Sequence, residues 1–180
     1  TARDELTRDM VRAAFAAFGR EVRRHDAHRI ITTGNSLPRP SAWHQRAERS
    51  WKQDTPRQFA EILLADHADP IDVISVHVYK TAERLKGAVA AARHAKKPLF
   101  VGEFGVPGAP SANARKQFAE LLGLIEAHRV PLAALWFFDF PRPDEWNVTA
   151  TNDRAYQLKA VSQANGRMRP GAATRPAGAP

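Results

Sequence analysis

Apolar residues recur along this chain with two alternating periods, and the alternation predicts helices and strands in turn. From Asp4 to His25, the residues Leu6, Met10, Ala14, Phe18 and Val22 return at every fourth position, the spacing of an amphipathic helix that turns one stripe toward a core. Arg29 to Asn35 then reads as a short β-rich run, Ile30-Ile31-Thr32-Thr33, stopped by Gly34-Asn35 and again by Pro38 and Pro40. The stretch that follows is loop-like and carries Trp43, His44 and Trp51. A helix is predicted from about Thr55 or Pro56, with Phe59, Ile62, Leu63 and Leu64 as its apolar positions.

Beyond Pro70, the run from Ile71 to Tyr79 is rich in β-branched residues and long enough to cross a sheet. Ala82 to Ala95 is helical, and Lys96-Lys97 closes it with charge that suits the negative end of the helix dipole. A third strand ends in Val101-Gly102-Glu103-Phe104-Gly105, a helix spans Ala112 to His128, and Pro131 to Phe140 is a fourth strand. Asp153 to Asn165 is the last helix. The Pro-, Ala- and Gly-rich residues 169–180 are expected to form a disordered tail, which leaves 1–168 as one domain. Strand and helix thus alternate four times behind a leading helix, and the strands are nearly continuous apolar runs. That order specifies an α/β fold around a parallel sheet buried on both faces. No phosphate-type glycine loop follows any strand, which disfavours nucleotide binding and leaves half of an eight-stranded barrel as the better architecture.

Composition narrows the function classes. With 43% hydrophobic residues in 180, the chain can bury a core of its own. It has no cysteine, so disulfides, thiolate metal sites and a cysteine nucleophile are excluded. No histidine spacing suggests a metal site, and no cofactor is implied. No apolar run approaches the length of a membrane span, and the start Thr1-Ala2-Arg3-Asp4-Glu5 carries no apolar signal region. The missing initiator Met leads us to expect a chain trimmed at its start. The net charge of +8 raises the question of a nucleic-acid partner. The basic residues, such as Arg20, Arg23, Arg24 and Arg29, are instead scattered among Glu21 and Asp26 without interleaved aromatics, which reads as a solvated helix face.

Chemistry concentrates at three strand ends: His77 and Tyr79, then Glu103, then Trp136 with Asp139. Alternation puts Ser75, His77 and Tyr79 on one face, with Ile74, Val76 and Val78 on the other. The same rule puts Glu103 with Leu99 and Val101, opposite Phe100, Gly102 and Phe104. Taken singly, Glu103 is equally a solvated turn carboxylate, His77 a satisfied core histidine and Tyr79 a rim aromatic. Together, a carboxylate, an imidazole and a phenol beside an indole suit a sugar, whose ring stacks on an aromatic while its hydroxyls take polar partners.

His77-Val78-Tyr79, the strand end Val101-Gly102-Glu103-Phe104-Gly105 and the strand bearing Trp136 resemble the sixth, seventh and eighth strands of glycoside hydrolase family 5, the cellulase family of clan A. The resemblance runs from about Ala27 to Asn165. It implies the C-terminal half, about four β/α units, of a (β/α)8 barrel. It implies that Glu103 is the nucleophile of a retaining glycosidase, flanked by His77 and Tyr79 as catalytic-site residues, with Tyr79 hydrogen-bonding the carboxylate. Trp136 would be the sugar platform, and Trp43 and His44 would extend the cleft, unless with Trp51 they form only a hydrophobic lid. The family's acid/base is the Glu of an Asn-Glu pair, and no such pair occurs in this sequence. The resemblance therefore implies a β-glucanase or β-mannanase type of enzyme lacking one of its two carboxylates. It also implies an oligo- or polysaccharide substrate, an extracellular or periplasmic setting, and a missing N-terminal half-barrel or self-association. A non-catalytic carbohydrate-binding or structural half-barrel is the alternative, and a basic nucleic-acid-associated domain a more distant one.

Overall fold

A computed structural model describes residues 6–79, 82–141 and 144–169, so the predicted tail lies almost wholly outside the described residues. The element order is α1 (Arg8–His25), α2 (Ala42–Glu48), α3 (Pro56–Ala65), β1 (Ile74–Tyr79), α4 (Ala82–Ala95), β2 (Leu99–Gly105), α5 (Ala112–Ala127), β3 (Leu132–Leu135) and α6 (Ala155–Met168). The three strands form one parallel sheet in the order β1-β2-β3. Each is joined to the next through a helix, the repeating β/α unit.

One face of this sheet carries the core. Ile74, Val76 and Val78 of β1 and Val101 and Phe104 of β2 are almost completely buried against Leu85 of α4 and Phe118 and Leu121 of α5. Phe104 stacks on Phe118 with ring centroids 5.9 Å apart, and Tyr156 of α6 meets Phe118 edge-on at 6.0 Å. Burying each such side chain contributes roughly 1.5–3 kcal/mol, so the helices are fixed where the strand pattern demands. Local signals set their starts. Thr55 and Gln58 form a capping box around Pro56 at the head of α3, and the side chains of Thr7 and Ser111 accept N–H bonds at the heads of α1 and α5.

Five expectations are corrected. The run Ile30–Thr33 makes a single parallel bridge, Thr32 to Val73, rather than a full strand, and Ile30 is 70% exposed. The fourth predicted strand is cut to Leu132–Leu135, where Leu132 is also exposed. The loop holding Trp43 and His44 contains the short helix α2. On α1, Met10, Ala14 and Phe18 face outward, as does Leu6 just ahead of it; of the expected stripe Val22 alone turns inward, where Val11, Phe15 and Gly19 make the rest of the inner face. Charge fastens that face: Arg8 and Arg12 both reach Asp66, and Arg23 pairs with Asp72, whose carboxylate also accepts the Ile31 N–H at 2.7 Å. Arg23 is thus a tie and not part of a solvated face. Gly19 lets the helix approach closely, because a Cβ there would lie 2.7 Å from Cγ of Pro70.

Candidate active site

The site is built on an irregularity in β2. Val76 pairs with Val101, yet the next residue of β1, His77, pairs with Glu103, and Tyr79 with Gly105. On the other side, Val101 pairs with Ala133 while Phe104 pairs with Leu135. Both ladders skip Gly102, which makes it the extra residue of a β-bulge. The bulge reverses the parity expected from the sequence. Val101 and Phe104, three apart, both point into the helix layer, and Glu103 turns away from Leu99 and Val101 to share a face with Ser75, His77 and Tyr79. Regular alternation would have driven the carboxylate into the apolar layer, where an unpaired charge costs several kcal/mol.

On that face Oε2 of Glu103 lies 3.3 Å from Nδ1 of His77, each side chain 22% exposed. Gly102 makes room for the imidazole, since a Cβ there would stand 3.2 Å from its Nε2. The other flanking glycine admits the next strand. A Cβ on Gly105 would lie 2.6 Å from the Trp136 carbonyl oxygen, and the Trp136 N–H donates to the Phe104 carbonyl at 2.9 Å. Trp136, just past β3 and followed by a cis peptide bond, is 41% exposed and meets Phe137 edge-on. Glu103, His77, Tyr79 and Trp136 thus stand at the C-terminal ends of three adjacent parallel strands, where loops of this architecture gather ligands. The carboxylate's close partner is His77. The hydrogen bond expected from Tyr79 to Glu103 is not formed among the described residues, and the Tyr79 ring instead packs edge-on against Trp146, centroids 4.8 Å apart.

The other aromatic candidates are placed differently. His44 is 3% exposed, with its Nδ1 2.8 Å from Oδ1 of Asp54, which also takes the His44 backbone N–H while Oδ2 takes that of Trp43. Burial would raise the Asp54 carboxyl, but these donors outweigh it and hold the group below its ordinary range. Such a pinned ring has no surface to offer a sugar, so His44 anchors α2 instead. Trp43 is half-buried, edge-on to His44 at 5.1 Å, whereas Trp51 is fully displayed on the loop beyond. A cavity of about 380 Å³, lined by Pro40, Asp54, Phe59 and Arg84 among others, lies between α3 and α4 and includes none of the strand-end residues. No cluster of three or more His, Asp or Glu gathers among the described residues to hold a metal.

No family model and no curated protein matches the sequence. Solved structures do match. An endo-1,4-β-mannanase from Rhizomucor miehei superposes with a TM-score of 0.68 at 17% identity over 92% of this chain and 47% of its own. An endo-β-1,4-mannanase from Thermotoga petrophila gives 0.66 at 12% over 93% and 42%. An endo-β-1,4-glucanase from Xanthomonas axonopodis pv. citri gives 0.60 at 18% over 88% and 55%. The chain therefore has the fold of part of a (β/α)8 barrel as these glycosidases build it, and it spans about half of their length. A family 5 glycoside hydrolase is among those sharing the fold, the Rhizomucor miehei mannosidase, with a TM-score of 0.61 at 11% identity over 87% and 48%.

Proposed function

We propose that this chain is the C-terminal half of a retaining family 5 glycoside hydrolase that cleaves β-linked mannan or glucan chains, with Glu103 as nucleophile. The observation that carries the reading is the bulge at Gly102, which turns one carboxylate out of the helix layer and sets it beside His77 at the strand ends. In this reaction the Glu103 carboxylate attacks the anomeric carbon as the glycosidic C–O bond breaks, and a second carboxylic acid gives its proton to the departing oxygen. Water, deprotonated by that second group, then releases the sugar and regenerates Glu103. The two carboxyls stand about 5–5.5 Å apart in such enzymes, and here the partner comes from the complementary half of the barrel. His77 orients the nucleophile, Tyr79 lines the same face, and Trp136 offers its exposed ring to the sugar. Exposed apolar residues near both ends of the chain's strand order support an incomplete barrel: Ile30 next to the Thr32–Val73 bridge, and Leu132 of the edge strand β3. The mannanases and glucanases that share the fold support the substrate class, and the setting proposed with it is extracellular or periplasmic.

The test is intact-protein mass spectrometry after incubation with 2-fluoro-mannosides and 2-fluoro-glucosides bearing dinitrophenolate, which departs without an acid. One adduct, mapped to Glu103 and absent from Glu103→Gln, supports the nucleophile. Binding of mannohexaose or cellohexaose with no adduct, even when a complementary half is supplied, would replace the reading with a non-catalytic carbohydrate module.

A further inference from the structure

The loop between β3 and α6 does more than return the chain. Phe138 bridges to Val148, the Asp139 N–H donates to the Val148 carbonyl at 3.0 Å, and the Asn147 side chain clamps both the N–H and the carbonyl of Phe140. The Gly108 N–H reaches the Glu145 carbonyl at 2.8 Å, tying this loop to the one that follows β2. Held this way, Trp146 folds back over the sheet's end. Its ring meets Tyr79 edge-on, and its Cε3 lies 3.7 Å from where a Gly105 Cβ would stand. Gly105 is two residues past Glu103 and beyond the bulge, so that Cβ direction is the one the Glu103 side chain takes. The indole therefore lies on the carboxylate's face, spanning from the end of β2 to that of β1. The Asp144 carboxylate fixes its backbone by accepting the Trp146 N–H at 2.7 Å.

From this placement we infer that Trp146 is a substrate-positioning residue: with Tyr79 it walls one side of the sheet face that carries Glu103 and holds the sugar ring presented to the carboxylate. The inference rests on the glycosidase reading and adds a second indole to the face of Trp136. An aromatic wall acts on bound sugar, so its loss weakens saturation more than it slows the bond-making step. The experiment measures the rate of Glu103 labelling against the concentration of the dinitrophenyl 2-fluoro-glycoside, for the unsubstituted chain, Trp146→Ala and Trp146→Phe. Trp146→Ala should raise the half-saturating concentration about tenfold, a larger change than in the maximal rate, and Trp146→Phe should recover most of it. Quenching of intrinsic fluorescence by mannohexaose gives a readout independent of chemistry, and it should weaken in both variants. Labelling with the same half-saturation in Trp146→Ala overturns the inference and leaves the glycosidase reading standing. Quenching that depends on Trp146 without any adduct on Glu103, even when a complementary half is supplied, overturns the glycosidase reading and keeps the wall as a binding element. Absence of both signals under the same conditions overturns both.

Discussion

Gly105→Ala should be among the most costly single-methyl additions to this chain, and its cost can be worked from the geometry. The new Cβ would lie 2.6 Å from the Trp136 carbonyl oxygen, well inside any normal carbon–oxygen contact. The opposing atom is backbone, so no side-chain rotation relieves the clash. Relief requires β3's end to retreat by more than half an ångström, on the order of what separates this contact from ordinary van der Waals distance. That retreat stretches the Trp136 N–H bond to the Phe104 carbonyl and moves the indole. Overpacking of this kind costs about 1–3 kcal/mol, and a weakened sheet hydrogen bond adds about 1 kcal/mol. A matched methyl elsewhere has the opposite sign. Gly123 sits in α5, exposed, with nothing within 4 Å of its Cβ position, so Gly123→Ala should stabilise by about 0.5–1 kcal/mol through helix propensity. Urea unfolding followed by far-ultraviolet circular dichroism, with midpoints compared at unchanged slope, measures both. Should Gly105→Ala prove too unstable alone, the Gly123→Ala background restores a measurable baseline. A Gly105→Ala midpoint equal to or above the parent's would refute the close approach of β3 on which the site's geometry depends.

Three further outcomes are expected. His67 is buried, its Nδ1–H donating to the Leu63 carbonyl at 2.8 Å while Nε2 accepts the Ser75 N–H at 3.2 Å, so the ring is neutral in the fold and burial pushes its pKa down from 6.5. The unfolded chain therefore binds the extra proton. The contribution is complete above about pH 6.5 and is lost as pH falls through the depressed native value, so unfolding free energies should drop more between pH 7.5 and 5 in the parent than in His67→Gln. Asp54, held below its ordinary 3.8, keeps its contribution above that pH and loses it only as pH falls through the lower native value; acid unfolding of Asp54→Asn should lack this component. The exposed apolar residues should drive self-association: sedimentation velocity is expected to show concentration-dependent oligomers that Met10→Glu, Phe18→Glu and Leu132→Lys together suppress, and a monodisperse parent at high concentration would contradict this.

What the sequence reveals here depends on whether a residue's neighbours are local. β1 is regular, so alternation correctly separates Ile74, Val76 and Val78 from Ser75, His77 and Tyr79. On β2 the same rule fails at one residue, and a single bulge suffices to reverse every assignment after it. The signal was present, for a glycine inside an apolar strand pattern marks a bulge or a close approach, and Gly102 provides both. α2 left little trace because it has only seven residues, no side-chain cap at Ser41 and a left-handed Arg49 where glycine would normally announce an end. α1 misled for a different reason. The four-residue spacing of Leu6, Met10, Ala14 and Phe18 outlines a stripe into and along it, but ion pairs to Asp66 and Asp72, contributed from far along the chain, decide which side faces the body. Trp146 belongs to the same class: only the loop's closure onto Gly108 and Val148 brings it to Tyr79.

The two glycines around Glu103 do different work, and the difference explains why the carboxylate is where it is. Gly102 supplies the extra residue that rotates Glu103 out of the core and leaves the space that His77 fills. Gly105 lets β3 close in, so that Trp136 and the loop bearing Trp146 arrive over the same face. Replacing Gly102 with a larger residue would crowd a partly exposed imidazole that can shift, whereas drawing Gly102 into the ladder opposite His77 would slide Glu103 one place on and return it to the helix layer beside Val101. The second change costs far more, because an ionised carboxylate would replace an apolar contact there. A strand that only needed to be stable would keep its alternation. Here the irregularity falls on the residue before the one acid at these strand ends that is paired with a histidine among the described residues, which favours a chemical role for Glu103 over that of a solvated turn carboxylate.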